Sequence, residues 1–514
     1  MSLPSLIVTG SSGFLGRFLL ESLKEEFQIY GIARRSQARS GAPVHPNIKW
    51  YQVDIGDVAP LRAVFHRIRD KGGADTVIHL AAHYDFTGEE HPEYIRTNID
   101  GHRNLLECCR EMGIRNFVFS SSVAASRLPA RGEVLDESSA PDGEHIYART
   151  KRIGEEMLEQ YRHEFKSIIV RFAAMFSGWC EYPPLFMFLK TWLSGAWNAR
   201  VLGGRGETSI PFLHVRDAVF LLRRVIDRLP EFEPGEVLVA SPDGATSHLD
   251  LFRAATRAYY GKARTPVFMP KLLCGPGMWV MDNVGRLTGE RPFERPWMAR
   301  YIDTEMTMDS RRTRMRLGWE PRQRLSIVTR MPFLIENLKT DPVEWNRRNR
   351  AAMKQVEVRD NLRIYWLLVK HGEEIQREFF ERIYGPDGQA RFPSYQHLNT
   401  EEHRWALQML LRQVLAAIRT GDRAIIADYC RDLAERRYHE GFSADEVCGA
   451  LQLLNQISLK VLRRDKETGE MFRQLREQIT MPLRWGCDQA QDRFEQLEEG
   501  RVRRGDPRPM ARTD

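Results

Sequence analysis

The fold is decided by the stretch Leu6-Ile7-Val8-Thr9-Gly10-Ser11-Ser12-Gly13-Phe14-Leu15-Gly16. An apolar run typical of a β-strand ends in a turn of glycine and serine, and apolar residues then recur at helical spacing. A strand, a tight turn and a helix in this order predict a cradle for a dinucleotide. The pyrophosphate must approach main-chain N–H groups at the helix N-terminus, and a Cβ at Gly10 or Gly13 would hold it away. Gly16 is expected to let the helix pack close to the sheet.

The composition is that of an ordinary globular protein. The chain has 514 residues, of which 42% are hydrophobic and 28% charged, so two or three domains with sizeable cores are expected. Its net charge of +7 is a small excess of 76 basic over 69 acidic side chains, and nucleic-acid binding is therefore not predicted. The seven cysteines include no Cys-x-x-Cys pair, which argues against a disulfide framework or a zinc site and fits a reducing cytoplasm.

The first strand begins almost at the N-terminus and leaves no room for a signal peptide, so we expect a cytoplasmic protein. The most apolar later stretch, from Val267 to Met281, contains two prolines and Lys271 and is too short to span a bilayer. No transmembrane segment is predicted. The stretch is expected either to contact a membrane surface peripherally or to line an apolar substrate pocket.

Five further runs of β-forming residues follow the first one, and patterns of helical spacing separate them. This alternation predicts an α/β fold with a Rossmann-like, doubly wound parallel sheet. Ligands of such sheets bind at the carboxyl ends of the strands. The five runs are Ile29–Ala33, Ile48–Val53, Thr76–Leu80, Phe117–Phe119 and Ile168–Arg171.

The residues at the predicted strand ends indicate how a cofactor would be held. Arg34 and Arg35 follow the second strand, where guanidinium groups suit the 2′-phosphate of NADP and a carboxylate would suit the ribose of NAD. We therefore predict NADP, although two solvated surface arginines are the alternative. Asp54 follows the third strand and can accept a hydrogen bond from an adenine amino group. Ala81 and Ala82 follow the fourth strand and are small enough for the chain to pass close to a cofactor.

Tyr147 and Lys151 are candidates for proton transfer. They lie four residues apart in a helical pattern, which places their Cβ atoms about 5–6 Å from each other on one face. A phenol with a pKa near 10 is a poor acid or base at neutral pH, and a nearby ammonium lowers that pKa by stabilising the phenolate. The serine run ending at Ser122 closes the fifth strand and precedes the pair in the same βα pattern.

Together these motifs resemble the extended short-chain dehydrogenase/reductase family, also called the NAD-dependent epimerase/dehydratase family, over residues 5 to 340. They occur in the order and spacing of that family, which includes a small substrate subdomain. The resemblance rests on Thr9 to Gly16, Asp54-x-x-Asp57, His79-Leu80-Ala81-Ala82, Asn98-x-x-Gly101-x-x-Asn104-Leu105-Leu106, Ser120-Ser121-Ser122, Tyr147-x-x-x-Lys151 and Phe212-Leu213-His214-Val215-Arg216-Asp217.

The resemblance implies a catalytic role for three residues. Tyr147 would be the acid or base, Lys151 would bind the nicotinamide ribose and lower the tyrosine pKa, and Ser122 would hydrogen-bond the substrate oxygen. In the reductive direction, hydride moves to a carbonyl carbon while Tyr147 protonates the oxygen. The residues expected to contact the cofactor are Gly10, Ser12, Gly13, Phe14, Leu15, Arg34, Arg35, Asp54, Ile55, Leu80, Ala81, Ala82, Asn98, Tyr147 and Lys151.

The substrate half departs from the family pattern. Many nucleotide-sugar enzymes of the family resemble Arg-x-x-Asn-x-x-Gly after the sixth strand, but Ala174 stands at the asparagine position. The aromatic residues that follow predict either a pocket for a hydrophobic alcohol or ketone or ordinary core packing. His214 is expected to be structural. The aromatic residues are Trp179, Tyr182, Phe186, Phe188, Trp192 and Trp197.

The last third of the chain is predicted to be an all-α bundle. We expect an α/β domain over residues 1–340, a linker over 341–357, the bundle over 358–500 and a flexible basic tail over 501–514. A helix from Thr400 to Gly421 and a capping box at Ser443 are clear signals. The segment Tyr438 to Phe442 and the helix after it resemble RsbRD-type regulatory modules, so dimerisation or regulation is expected. The histidines of the bundle share no ligand spacing, and no metal site is predicted.

Three functional hypotheses follow. The first is an NADP-dependent oxidoreductase acting on a hydroxyl or carbonyl of a small, hydrophobic substrate, in a homo-oligomer. The second is a nucleotide-sugar epimerase or dehydratase with retained NAD, against which Ala174 and Arg34-Arg35 argue. The third is a sensor that binds NADP and signals through the bundle, against which the proton donor Tyr147 argues.

Overall fold

The computed structural model describes residues 3–85, 90–130, 132–288, 295–356, 360–465, 468 and 471–504. The chain divides into two compact units, Met1–Glu357 and Val358–Asp514. The strands, all in the first unit, are β1 Ser5–Thr9, β2 Gln28–Ala33, β3 Ile48–Gln52, β4 Thr76–His79, β5 Asn116–Ser122, β6 Lys166–Phe172, β7 Ala174–Phe176, β8 Val201–Gly203, β9 Ser209–Ile210, β10 Phe212–His214, β11 Glu236–Ala240, β12 Thr246–Ser247 and β13 Val267–Met269.

Twelve described α-helices belong to the first unit, and short 3₁₀ and π segments connect some of them. The helices are α1 Phe14–Leu23, α2 Gln37–Ser40, α3 Val58–Arg69, α4 Gly101–Met112, α5 Ile146–Gln160, α6 Pro183–Trp192, α7 Val215–Asp227, α8 His248–Tyr260, α9 Lys271–Thr288, α10 Arg311–Leu317, α11 Ile327–Thr340 and α12 Pro342–Val356.

Seven strands form one parallel sheet in the order β11-β6-β5-β4-β1-β2-β3. β1 pairs with β2 on one side and with β4 on the other, so the winding reverses there and opens a crevice at the carboxyl ends of β1 and β4. The predicted doubly wound parallel sheet is confirmed. β11 is an edge strand in addition to the six predicted strands.

Helices cover both faces of the sheet, because its strands are apolar on both sides. On one face α1 and α7 bury Leu19 and Leu222, and on the other α4 and α5 bury Leu105 and Leu158. The turns at the strand ends are thereby held against a rigid core.

A smaller subdomain combines three two-stranded sheets, β7–β10, β8–β13 and β9–β12, with α6, α8 and α11. The aromatic run after β6 is divided within it. Phe186 and Trp192 are buried in its core, Tyr182 and Phe188 pack against that core partly buried, and Trp197 is 78% exposed. Core packing therefore accounts for much of the run.

Residues 341–357, predicted to be a polar linker, contain helix α12. Trp345 is buried in the core of the subdomain, and the Asn349 Nδ2 donates a hydrogen bond to the main-chain oxygen of Trp179 at 2.9 Å. These two residues attach an otherwise arginine-rich helix to the first unit.

The second unit is helical, as predicted. The stretch from Leu362 to Ile375 is divided between two helices, while Gly421 at φ 74° and the capping box at Ser443 bound helices as expected. A π-helical turn, Arg476–Thr480, precedes the helix that contains Pro482. The helices are α13 Asp360–Lys370, α14 Gly372–Tyr384, α15 Pro386–Arg391, α16 Thr400–Thr420, α17 Ala424–His439, α18 Ala444–Leu462, α19 Phe472–Leu475 and α20 Met481–Arg504.

The predicted flexible tail starts at residue 501, but α20 continues to Arg504 and the rest of the tail lies outside the described residues. Among the described helices, none combines the length and apolar character that crossing a membrane requires.

Candidate active site

The glycines of the first turn are required by close packing within the protein. Gly10 has φ +71°, and a Cβ there would lie 2.6 Å from the main-chain nitrogen of Ala81. A Cβ at Gly16 would lie 2.4 Å from the carbonyl oxygen of Gly10. The turn after β1, the start of α1 and the chain after β4 therefore fit together only with glycine at these two positions.

The N-terminus of α1 lies at the crevice without a capping side chain. Its first residue, Phe14, follows Gly13, which has an extended backbone and no side chain that could cap the helix. The first N–H groups of a helix need partners, and an anion satisfies them well. The turn thus fits a pyrophosphate, with Phe14 partly exposed beside it and Leu15 buried beneath.

Arg34 and Arg35 lie beside this turn and contact the protein itself. Arg34 Nη1 lies 3.2 Å from the buried carboxylate of Glu93. Arg35 Nη2 donates to the main-chain oxygen of Ser12 at 2.5 Å, and its Nε lies 3.4 Å from the Ser12 hydroxyl. Burial, together with the nearby charges of Arg34 and Arg17, lowers the pKa of Arg35 to about 10. The two arginines thus have different surroundings, one neutralised by a carboxylate and the other bound to the turn.

Asn98 holds the loop after β4 onto α5. Its Nδ2 donates to the main-chain oxygen of His83 at 2.9 Å and to Thr150 Oγ1 at 3.0 Å, and its Oδ1 accepts from the His83 N–H at 2.7 Å. Thr150 belongs to α5, so this buried amide joins two elements of the site. The structure gives Asn98 a positioning role, and its contact with a cofactor stays a prediction.

The other predicted cofactor residues lie along the same edge. Asp54 and Ile55 are buried, and Asp54 Oδ1 accepts from the Gly56 N–H at 2.8 Å. Leu80 and Ala81 are partly exposed and Ala82 is exposed. The strand-end positions predicted from sequence therefore share one edge of the sheet, with Asp54 and Ile55 directed inward.

Ser122, Tyr147 and Lys151 come together at the ends of β5 and α5. The Ser122 hydroxyl lies near enough to the Tyr147 oxygen to lower its pKa, and it accepts a hydrogen bond from the Ala124 N–H at 3.2 Å. Lys151 Nζ donates to the main-chain oxygen of Ser120 at 2.6 Å and lies 5.7 Å from the centre of the Tyr147 ring. The three predicted catalytic residues thus form one cluster, because α5 presents residues four apart on the face that packs against β5.

Burial dominates the electrostatics of this cluster. It raises the pKa of Tyr147 above its ordinary value, and the hydrogen bond with Ser122 opposes this only in part. It lowers the pKa of Lys151 to about 8, against the opposing effect of Glu155. Desolvation of the phenol therefore dominates in the protein by itself, and the lowering of the tyrosine pKa by Lys151 stays a prediction.

Two features of the site were not found from sequence. The Tyr84 ring lies 4.3 Å from the Tyr147 ring, and burial, with Tyr182 and Tyr147 nearby, raises its pKa well above the ordinary value. Glu155 and Arg171 form a buried ion pair, 2.7 Å between Oε2 and Nη2, and the Ser121 hydroxyl donates to Glu155 at 2.5 Å. An aromatic residue two positions after Ala81-Ala82 was the available signal for Tyr84. The ion pair had no local signal.

His214 is structural, as expected. Its Nδ1 accepts a hydrogen bond from the Arg216 N–H at 3.2 Å and caps α7, while burial, with Arg330 and other arginines nearby, lowers its pKa to about 4. Ala174 begins β7 and offers no amide to a ligand. Within the described residues, no group of three or more His, Cys, Asp or Glu side chains is arranged to hold a metal ion.

Residues 6–240 match the model of the NAD dependent epimerase/dehydratase family. This part of the chain belongs to that family. Residues 388–508 match the model of the RsbT co-antagonist protein rsbRD N-terminal domain, which agrees with the resemblance at Tyr438 to Phe442. The chain therefore joins an epimerase/dehydratase domain to a helical domain of the RsbRD type.

The relatives of the epimerase/dehydratase domain include reductases and epimerases. A putative dihydroflavonol 4-reductase of Synechocystis is 33% identical over 132 residues, which are 26% of this chain and 36% of that protein. The N-acetyl-α-D-glucosaminyl-diphospho-ditrans,octacis-undecaprenol 4-epimerase of Escherichia coli O157:H7 is 29% identical over 157 residues, 30% of this chain and 43% of that protein. The chain thus spans less than half the length of these curated relatives.

Among solved structures, the UDP-glucose 4-epimerase of Thermotoga maritima with UDP-glucose is similar to the epimerase/dehydratase domain. It is 21% identical, and the match covers 65% of this chain and 98% of that chain with a TM-score of 0.51. This likeness shows a shared fold.

Proposed function

We propose that the epimerase/dehydratase domain epimerises a hydroxyl-bearing carbon of a sugar diphosphate, oxidising it to a ketone and reducing it again. The observation that carries this proposal is the cluster of Ser122, Tyr147 and Lys151 at the crevice that also contains the uncapped N-terminus of α1. A proton-transfer group and a dinucleotide site at one sheet edge are what such chemistry needs.

The protein groups that would hold the dinucleotide are those of the glycine turn and of α5. The N–H groups at the start of α1 suit the pyrophosphate, and the ammonium of Lys151 suits the nicotinamide ribose. When bound, the oxidised nicotinamide supplies the hydride acceptor and a positive charge that favours the phenolate of Tyr147. The residues present fit this group.

The protein's own part in the reaction is to move one proton and to hold one oxygen. In the oxidation, the Tyr147 oxygen takes the proton of the substrate hydroxyl while the carbon gives up its hydride. In the return step, Tyr147 gives the proton back to the same oxygen and the hydride returns to the opposite face of the carbon. Ser122 hydrogen-bonds that oxygen throughout and stabilises its partial negative charge.

Two observations support a sugar diphosphate over the small hydrophobic substrate of the first hypothesis. The E. coli relative is named for the 4-epimerisation of a sugar on a diphosphate, and an Arabidopsis UDP-glucuronate 4-epimerase is 28% identical over 207 residues. Phe186 and Trp192, which were candidates for an aromatic pocket, are buried in the subdomain core. Because Ala174 has no side-chain amide, contacts to the diphosphate must come from other residues.

The proposed cofactor is retained NAD. Arg34 is already paired with Glu93, and Arg35 donates to the main chain of Ser12, so both guanidinium groups have roles within the protein. A cofactor that is oxidised again in each cycle has no need to exchange.

The test uses the full chain without added cofactor. We expect NAD to be released on denaturation, and we expect UDP-glucose or UDP-N-acetylglucosamine to be converted to its 4-epimer, measured by chromatography. The Tyr147→Phe variant should retain NAD and lose conversion. Stoichiometric consumption of NADPH with hydrophobic ketones, without epimer formation, would instead support the first hypothesis.

The match to the RsbRD N-terminal domain favours a second candidate function, regulation by the helical unit. In that case the redox state of the bound dinucleotide changes the conformation of the helical unit. Hydrogen exchange of the full chain with NAD and with NADH tests this. Equal protection of residues 360–504 in the two states would contradict it.

A further inference from the structure

Helix α9 turns its apolar side outward. Leu272 is 90% exposed and Trp279 61%, and Leu273 and Val280 are exposed by half or more. At 100° per residue these four positions lie within one arc of the helix. Monomeric proteins seldom leave such a continuous apolar stripe open to water.

The opposite side of the same helix is its buried side, and it carries the helix's carboxylate. Cys274 and Asp282 are 3% and 4% exposed. Asp282 Oδ1 lies 2.7 Å from Nη1 of Arg295, so the acid is turned inward and paired with a cation. This arrangement is the reverse of an ordinary surface helix, in which charged side chains face water.

The exposed stripe continues onto the strand before the helix. Val267 and Phe268 of β13 are 53% and 47% exposed. We call the six residues Val267, Phe268, Leu272, Leu273, Trp279 and Val280 the α9 surface.

The chain segments that carry and flank the α9 surface are basic. Residues 261–284 and 295–301 contain five basic side chains, and Asp282 is their one carboxylate. Lys262 precedes β13 and Lys271 begins α9, and both are exposed. Arg300 is exposed on the 3₁₀ segment Pro296–Tyr301 that packs on α9, and its Nη1 lies 3.9 Å from the exposed carboxylate of Glu144. No carboxylate of these segments is therefore turned toward an approaching anionic surface.

The α9 surface is connected to the catalytic helix through the same 3₁₀ segment. The Trp297 ring lies 4.9 Å from the His145 ring. His145 caps α5 by accepting a hydrogen bond from the Tyr147 N–H at 3.3 Å. The 3₁₀ segment therefore links the helix that carries the α9 surface to the N-terminus of α5.

We propose that the α9 surface docks onto an anionic lipid bilayer, with its apolar side chains at the level of the acyl chains and its basic side chains among the head groups. Aliphatic and tryptophan side chains rimmed by lysine and arginine are the chemistry of an interfacial helix. A second copy of this chain fits less well, since a two-fold contact would set one positive rim against the other. The proposal is independent of the reaction assigned above.

The experiment is co-sedimentation of the full chain with vesicles. One set is phosphatidylcholine with about 30 mol% phosphatidylglycerol, and the other is phosphatidylcholine alone. We expect binding to the anionic vesicles that weakens as salt is raised, because the electrostatic part is screened. The double variant Leu272→Ser, Trp279→Ser should lower the partition coefficient more than about tenfold, since it removes two apolar side chains from the bilayer.

The matched control is Trp405→Ser, which replaces a tryptophan that is 64% exposed on the helical unit. It should bind as the wild type does, and circular dichroism should show that each variant is folded. Failure of the wild type to bind anionic vesicles, or equal binding by the double variant, would overturn the proposal. A shift from dimer to monomer in the double variant, without vesicle binding by the wild type, would assign the surface to a second copy.

Discussion

Lys151 Nζ lies 2.6 Å from the main-chain oxygen of Ser120 and 5.7 Å from the centre of the Tyr147 ring. The hydrogen bond ties α5 to the end of β5, where Ser122 is located. The lysine therefore fixes the distance between the serine and the tyrosine as well as supplying a charge. Its own burial, which lowers its pKa to about 8, makes that charge sensitive to pH.

The buried lysine should make stability depend on pH in the alkaline range. The pKa of Lys151 falls from 10.5 in the unfolded chain to about 8 in the folded protein, because burial disfavours the charged ammonium. As pH rises from about 8 to 10.5 the folded protein loses this charge, so the cost of burying it disappears and stability increases. At 1.36 kcal/mol per unit this amounts to about 3 kcal/mol. We expect Lys151→Met to be more stable than the wild type at pH 7 and to lose this advantage by pH 10.5, measured by urea unfolding. Lys190→Met, at an exposed position, should show no such trend.

Replacing Tyr147 should affect turnover and spare cofactor binding. Tyr147→Phe removes the atom that carries the proton but keeps the ring, which packs against Tyr84. General acid–base catalysis contributes about 10²–10⁴ in rate, and a loss of that size in kcat is expected. The dissociation constant of NADH for cofactor-free protein, followed by nicotinamide fluorescence, should change less than about twofold. Tyr161→Phe, just after the same helix, is the control, and an unchanged kcat in Tyr147→Phe would exclude the residue from catalysis.

The parts of the fold and site that could be predicted from sequence have local signals. Apolar β-type runs mark the sheet, and helical spacing places Tyr147 and Lys151 on one face of α5. Contacts between distant segments carry no such signal. Asn98 joins the loop after β4 to Thr150 of α5, and this role depends on a packing arrangement that spacing does not reveal. The desolvation that raises the Tyr147 pKa is likewise a property of the assembled site.

Where apolar residues are frequent, the sequence pattern also does not show which side chains face the core and which face the solvent. Phe186 and Trp192 follow the same aromatic pattern as Trp197, yet the first two are buried and the last is exposed. The arginine-rich stretch after residue 341 reads as a linker because few of its residues are apolar, yet Trp345 and Asn349 are buried against the subdomain. Both outcomes depend on which neighbouring surface the segment meets.

The buried ion pair of Glu155 and Arg171 should contribute strongly to the stability of the first unit. Glu155→Gln leaves the guanidinium of Arg171 without its charge partner in a buried place, which destabilises by about 3–5 kcal/mol. Glu111→Gln, which removes the partner of Arg62 at the surface, should leave the urea midpoint nearly unchanged. Similar midpoints for the two variants would show that solvent reaches the Glu155 pair.

Arg35 should support the glycine turn more than it selects the cofactor. Arg35→Ala removes a charge-assisted hydrogen bond to the Ser12 carbonyl, so the dissociation constants of NADH and NADPH should both rise about tenfold. Arg39→Ala, at an exposed position four residues further along the chain, should change neither. Loss of NADPH binding alone would contradict this role and would restore the predicted contact with a 2′-phosphate.

Gly10 should tolerate no side chain for two reasons, its backbone conformation and the lack of space for a Cβ. A comparison with Gly72 separates the two. At Gly10 φ is +71° and a Cβ would lie 2.6 Å from the Ala81 nitrogen, whereas at Gly72 φ is +105° and nothing lies within 4 Å of a Cβ. Gly72→Ala should therefore lower the free energy of unfolding only by the backbone strain, about 1–3 kcal/mol, and leave the NADH affinity unchanged. Gly10→Ala must also move the chain after β4, which forms one wall of the crevice. For Gly10→Ala we expect a larger loss of stability and NADH binding that is more than about tenfold weaker. Both are measured at 10 °C on the protein that remains in solution. Equal effects of the two substitutions would show that the chain after β4 can shift freely.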